Sequence, residues 1–113
     1  MNNISSSTQR RGGRHYYALI RRPPPIWSYL TSIVLYALPD PIEPHEPYLA
    51  IRYVSFDEQR IDGDSLCLTL QEAKTYAEEE FGVGEADWQE LPREQLLRIP
   101  IFDRGIRVQP DDL

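Results

Sequence analysis

Residues 69–82 read TLQEAKTYAEEEFG, and this stretch decides the fold class. Thr69, Leu70, Gln71 and Glu72 form a capping box, in which the threonine hydroxyl and the glutamate carboxylate each accept from an amide that the first helical turn leaves without a partner. Leu70, Ala73, Tyr76, Ala77 and Phe81 then recur at helical spacing and make an apolar stripe. Gly82 stops the helix, because glycine enters the left-handed region without steric cost. The pattern predicts one principal helix over about 69–81. Glu78, Glu79 and Glu80 lie near its C-terminal end, where negative charge opposes the helix dipole at a mild cost. They read as a solvated acidic face that could double as a docking patch.

Working outward, the pattern changes from helical to alternating. Residues 83–91, VGEADWQEL, place Trp88 over the helix as part of another strand. Pro92 opens a short helix to Arg98 that turns Leu96 and Leu97 inward. Residues 99–108 read as an edge segment around Pro100 and Gly105. On the other side, 57–64 is turn-like with Asp62-Gly63 as the hairpin signal, and Ile61 and 66–68 read as short strands about it. Residues 48–56, YLAIRYVSF, alternate: Leu49, Ile51, Tyr53 and Ser55 share one face, and Tyr48, Ala50, Arg52, Val54 and Phe56 the other. The stretch 39–47, PDPIEPHEP, is a semi-rigid loop, since proline lacks the amide donor and restricts its predecessor. Residues 26–38, IWSYLTSIVLYAL, are read as a buried strand, and 15–22, HYYALIRR, as the first strand. Pro23-Pro24-Pro25 makes an extended connection between them. The architecture expected is α+β, a small mostly antiparallel sheet packed against one principal helix.

The segment LTLQEAKTYAEEEFG (68–82) followed by ADWQEL (86–91) is similar to an arrangement found in small bacterial α+β proteins, some toxin-immunity proteins among them. Its parts are generic for a capped amphipathic helix feeding a strand, so the likeness carries over no functional residue.

The chain of 113 residues has the length of one domain. Residues 1–14 are expected to be a disordered basic arm, 15–110 a single α+β domain, and 111–113 a mobile acidic tail. Charge is uneven: residues 1–25 carry Arg10, Arg11, Arg14, Arg21 and Arg22 and no acid, whereas 26–113 carry seven bases and eighteen acids, for a total of −6. An acidic body of this kind disfavours DNA and anionic membrane. Cys67 has no partner for an internal disulfide, which fits a reducing compartment and a cytoplasmic, soluble protein. It reads as a packing residue, because a reactive thiol needs a basic neighbour. At thirteen residues, 26–38 is shorter than the roughly 20 a membrane helix requires.

Catalytic and cofactor signatures are missing. Nothing resembles a nucleophile elbow, an HExxH helix, a kinase set or a phosphate fingerprint. Glu43, His45 and Glu46 sit on a proline-rich loop that does not force them to converge, so no metal site is assigned. The acids of 57–64 lack the ligand order of an EF-hand. Tyrosine, tryptophan and arginine are abundant, with eleven arginines to one lysine, and these types anchor protein interfaces as well as sheets. The leading expectation is therefore a small acidic, non-enzymatic protein-binding module, immunity- or inhibitor-like or an adaptor, without a cofactor. Its partner would be another protein, of basic character. Trp27, Tyr29, Tyr53 and Trp88 would serve as anchors and Glu78, Glu79 and Glu80 would steer the approach. An alternative is a ligand-binding or catalytic domain with a pocket near His45 and Glu43. A second is a nucleic-acid accessory role for the tract Arg10, Arg11 and Arg14. Self-association would follow if the 26–38 element left an edge or face to cover.

Overall fold

A computed structural model describes residues 14–99. The predicted arm (apart from Arg14), the 99–108 segment (apart from Ile99) and the tail at 111–113 fall outside the described residues. The sheet has five strands: β1 (Tyr16–Leu19), β2 (Ser32–Ala37), β3 (Tyr48–Ser55), β4 (Arg60–Cys67) and β5 (Gln89–Glu90). Their spatial order is β4-β3-β2-β1-β5, antiparallel at every pairing. Between β4 and β5 lies the principal helix α1 (Leu70–Phe81), and a single turn of helix, α2 (Arg93–Leu96), follows β5. The α+β class read from the sequence is therefore the class observed.

Helix α1 is fixed at both ends as its sequence requires. Thr69 Oγ1 accepts from the Glu72 amide at 3.0 Å, and Glu72 Oε1 accepts from the Leu68 amide at 2.8 Å. Gly82 closes the helix with φ 70°, and its amide donates to Glu78 O at 3.0 Å. No base lies in the last turn of α1; instead Arg22, arriving from the β1–β2 connection, lies over Gly82 and supplies positive charge at the negative end of the dipole.

Alternation along the central strands gives the sheet two buried faces. One face, with Ala18, Ile33, Leu35, Ala37, Tyr48, Ala50 and Cys67, packs on Ala73, Ala77 and Phe81 of α1. The small alanines on both sides allow close approach, and Phe81 fills the space they leave. The other face buries Val34, Tyr36, Ile51 and Tyr53 under Leu91 and Ile99, with Leu96 alongside. Residues 91–99 thus form a strap across the middle of the second face, while Leu66 at the β4 side stays 54% exposed.

Several expectations require correction: Leu97 does not turn inward but is 51% exposed, and Phe56 packs with Tyr53 and not on the Tyr48 face. The run 26–38 is not one strand. Pro25–Trp27 is a turn of 3-10 helix, started by proline at a position where the missing amide costs nothing, and only Ser32–Ala37 pairs. As the central strand, β2 has a neighbour on each side, so its apolar run is satisfied within the chain and leaves no edge. The hairpin between β3 and β4 does not turn at Asp62-Gly63, which lie inside β4. It turns at 56–59, where Gln59 takes φ 53°. Gln59 is held there by its own side chain, which donates to Phe56 O at 2.6 Å and accepts from the buried Tyr53 hydroxyl at 2.9 Å. Finally, Trp88 precedes β5 rather than lying in it, and packs half-buried against the helix-side core.

Candidate functional site

Arg52 alternates onto the helix side of β3, where its neighbours in the strand, Ala50 and Val54, are apolar. A guanidinium in that position demands partners, because a buried charge is costly unless paired and hydrogen-bonded. Four residues from three elements provide them. Nε donates to Asp62 Oδ2 at 3.1 Å, and Nη1 donates to Ser65 Oγ at 3.1 Å and to the Tyr76 hydroxyl of α1 at 3.2 Å. The guanidinium carbon lies 5.3 Å from the Trp27 ring centroid, a cation–π distance. Gly63 stands opposite Arg52 in the register, and a Cβ there would lie 2.6 Å from Nη2. Glycine at 63 is thus a close-approach residue rather than a turn residue.

The cluster extends outward from this hub. The Tyr29 hydroxyl donates to Asp62 Oδ1 at 3.0 Å, which pushes the tyrosine pKa up. Trp27 also packs on Phe81, with centroids 5.6 Å apart. Burial works to lower the Arg52 pKa, but the hydrogen bonds to Tyr76 and Asp62 outweigh it and leave the group held even more firmly as a cation. The Arg52 and Asp62 side chains keep only 14% and 21% of their surface. Ile26 and Tyr29 beside them stay 76% and 48% exposed. On the outer side of α1 a shallow groove of about 510 Å³ continues from Tyr76 along Thr69, Gln71, Glu72, Thr75 and Glu79. Its charged lining is carboxylate.

The anchors named from the sequence separate by location. Trp27 and Tyr29 meet at the Arg52 cluster, and Glu79 lines the adjoining groove with Glu78 and Glu80 exposed beside it in α1. Trp88 lies elsewhere, against the helix-side core. Tyr53 is 0% exposed in the second core, so its ring is a packing element and not a surface anchor. Arg14 is exposed, with Nε 3.7 Å from Glu90 Oε2, while Arg10 and Arg11 fall outside the described residues. Arg52, Asp62, Ser65 and Tyr76 were missed. The available signal was a lone arginine on an otherwise apolar strand face.

The chemistry of this cluster is self-contained. Asp62 is paired to Arg52, and Tyr76 gives its oxygen lone pair to the same cation. His45 closes a tight turn through paired bonds with Ile42, of 2.6 and 2.9 Å, and lines neither this groove nor the smaller one of about 280 Å³ around Tyr17, Phe56 and Arg98. Among the described residues no group of three or more His, Cys, Asp or Glu could hold a metal ion, and no helix is long and apolar enough to cross a membrane. Cys67 is buried at 6% exposure, and burial pushes its thiol pKa up.

No family model, curated protein or solved structure matches this chain.

Proposed function

We propose that the chain is a small non-enzymatic protein-binding module, and that its contact surface is the 26–29 turn together with the outer side of α1. The observation that carries this reading is Ile26 and Tyr29, exposed on a turn whose neighbour Trp27 is pinned by Arg52. An apolar side chain and a tyrosine displayed on a rigid base bind with little ordering cost, which is how interface anchors gain their affinity. The adjoining groove presents Glu72 and Glu79 with no cation in its lining, so the partner that complements it is a protein with a basic segment. An immunity-like, inhibitor-like or adaptor role all fall within this description, and a cytoplasmic setting suits the single buried thiol.

The test uses the tagged full chain expressed in its source cells, alongside Ile26→Asp and a Glu79→Lys/Glu80→Lys double variant. Wild type should retain a stoichiometric protein rich in Lys and Arg. The charge-reversal variant should lose it and moderate salt should weaken it, since surface attraction is screened over about 8 Å at physiological ionic strength. Retention that ignores Ile26→Asp and both charge changes would place the interface elsewhere and overturn the reading. Recovery of nucleic acid alone would do the same.

A further inference from the structure

His15 stands immediately before β1, where four strands of the sheet meet. The Ala37 amide, at the end of β2, donates to His15 Nδ1 at 2.9 Å. The Leu91 amide, the first residue past β5, donates to the His15 carbonyl at 2.8 Å. One residue earlier, the Tyr48 hydroxyl at the start of β3 donates to Arg14 O at 3.1 Å. The imidazole itself rests against Tyr36, with ring centroids 4.9 Å apart. A main-chain N–H aimed at Nδ1 requires a lone pair on that nitrogen, so the ring is neutral with its proton on Nε2. A second proton can go only to Nδ1, where it would face the Ala37 N–H donor to donor.

We propose that His15 is an acid-operated latch: protonation of Nδ1 breaks the Ala37 contact and loosens the end of the sheet where β1 begins and where Leu91 starts the strap over the second core. The inference does not depend on the docking surface of α1. Leu91 and Ile99 share that core with the buried Tyr36 and Tyr53, so opening at Leu91 uncovers tyrosine rings that are otherwise sealed.

The charged and titratable groups around the ring are Tyr36 from β2, Tyr48 from β3, Glu90 from β5, Arg14 on its own segment, and Tyr16 and Glu46 beside Tyr48. Burial pushes the tyrosine pKa up to about 12 at Tyr36 and raises it at Tyr48, so neither changes charge in the acid range. For His15, burial lowers the pKa from 6.5 and the negative charge of Glu90 raises it by less. A folded value below the unfolded one means that the latch contributes fully above about pH 6.5 and is lost as pH falls through the folded value.

The test is amide hydrogen exchange by NMR on the full chain between pH 7.5 and 4.5, with protection factors corrected for intrinsic exchange. The Ala37 and Leu91 amides should lose protection as pH falls below about 6.5, by at most about tenfold per pH unit and levelling off below the folded His15 value, while Ile51 in the middle of the sheet keeps its protection. In His15→Gln, whose side-chain oxygen accepts from the same amide but takes up no proton, both profiles should be flat. Equal loss in His15→Gln, or Ile51 losing protection in parallel, would overturn the latch. If the glutamine variant does not fold, the wild-type His15 Nδ1 nitrogen shift decides: it must move from the unprotonated to the protonated position in step with the Ala37 amide. Titration of that nitrogen with Ala37 protection unchanged refutes the proposal.

Discussion

Gly63→Ala should destabilise the protein even though alanine in a strand is usually better than glycine. Replacing glycine at an unstrained position gains roughly 0.5–1 kcal/mol by restricting the unfolded chain. At 63 the new Cβ meets Arg52 Nη2 at 2.6 Å and Cζ at 3.6 Å. Arginine ends are usually able to give way, but this one is tied to Asp62, Ser65 and Tyr76 and stacked on Trp27. A shift large enough to relieve the contact breaks two of the three hydrogen bonds. At about 1–1.5 kcal/mol each, the loss is about 2–3 kcal/mol. The net expectation is a destabilisation of about 1–2 kcal/mol.

The companion variant makes the reasoning testable. In an Arg52→Ala background the added methyl meets open space, so Gly63→Ala should become stabilising by about 0.5 kcal/mol. The sign reversal corresponds to a coupling of about 2 kcal/mol, well above the additivity expected of independent sites. Urea unfolding followed by far-UV circular dichroism reads all four corners of the cycle without relying on Trp27, whose fluorescence will respond locally to Arg52. An alanine at 63 that is neutral or stabilising in the wild-type background would show that the Arg52 cluster is not a fixed structure. The claim of a rigid base beneath Ile26 and Tyr29 would fall with it.

Thr69→Ala removes the acceptor for the Glu72 amide at the start of α1 and should cost about 1 kcal/mol in the same urea assay; no change would mean the helix end is held by Glu72 alone. Tyr53→Phe deletes the hydroxyl that holds Gln59 at φ 53°, and a loss of about 1 kcal/mol with faster exchange confined to 56–59 is expected. Equal acceleration across β3 would instead make the hydroxyl a general packing contact. Cys67, buried and with its thiol pKa raised, should resist a soluble disulfide reagent at pH 8 until denaturant is added, and labelling at the rate of a free thiol in native buffer would contradict its packing role.

What could be read from the sequence was local. The Thr69–Glu72 cap, the Gly82 stop and the alternation of 48–55 act within a few residues of themselves, and each stands where the pattern placed it, whereas Phe56, past the end of β3, packs with Tyr53 and not on the Tyr48 face. What could not be read depends on register between segments distant in sequence. Asp62-Gly63 carries a good turn signal, yet glycine there serves the approach of a side chain eleven positions earlier, and the actual turn at 56–59 uses a glutamine that no turn statistic favours. Residue type alone also cannot separate a core aromatic from a displayed one. Tyr53 and Tyr29 look alike in a list of interface residues, and only the pleat of β3 sends the first inward while the 3-10 turn leaves the second at the surface. Ile26 makes the point in reverse: composition counts it toward the core, and the structure leaves it the most exposed large apolar side chain among the described residues. The recognition surface we propose is therefore defined by where Pro25–Trp27 interrupts what looked like a strand. An Ile26→Asp variant that keeps wild-type stability is what distinguishes a displayed side chain from a misplaced core residue.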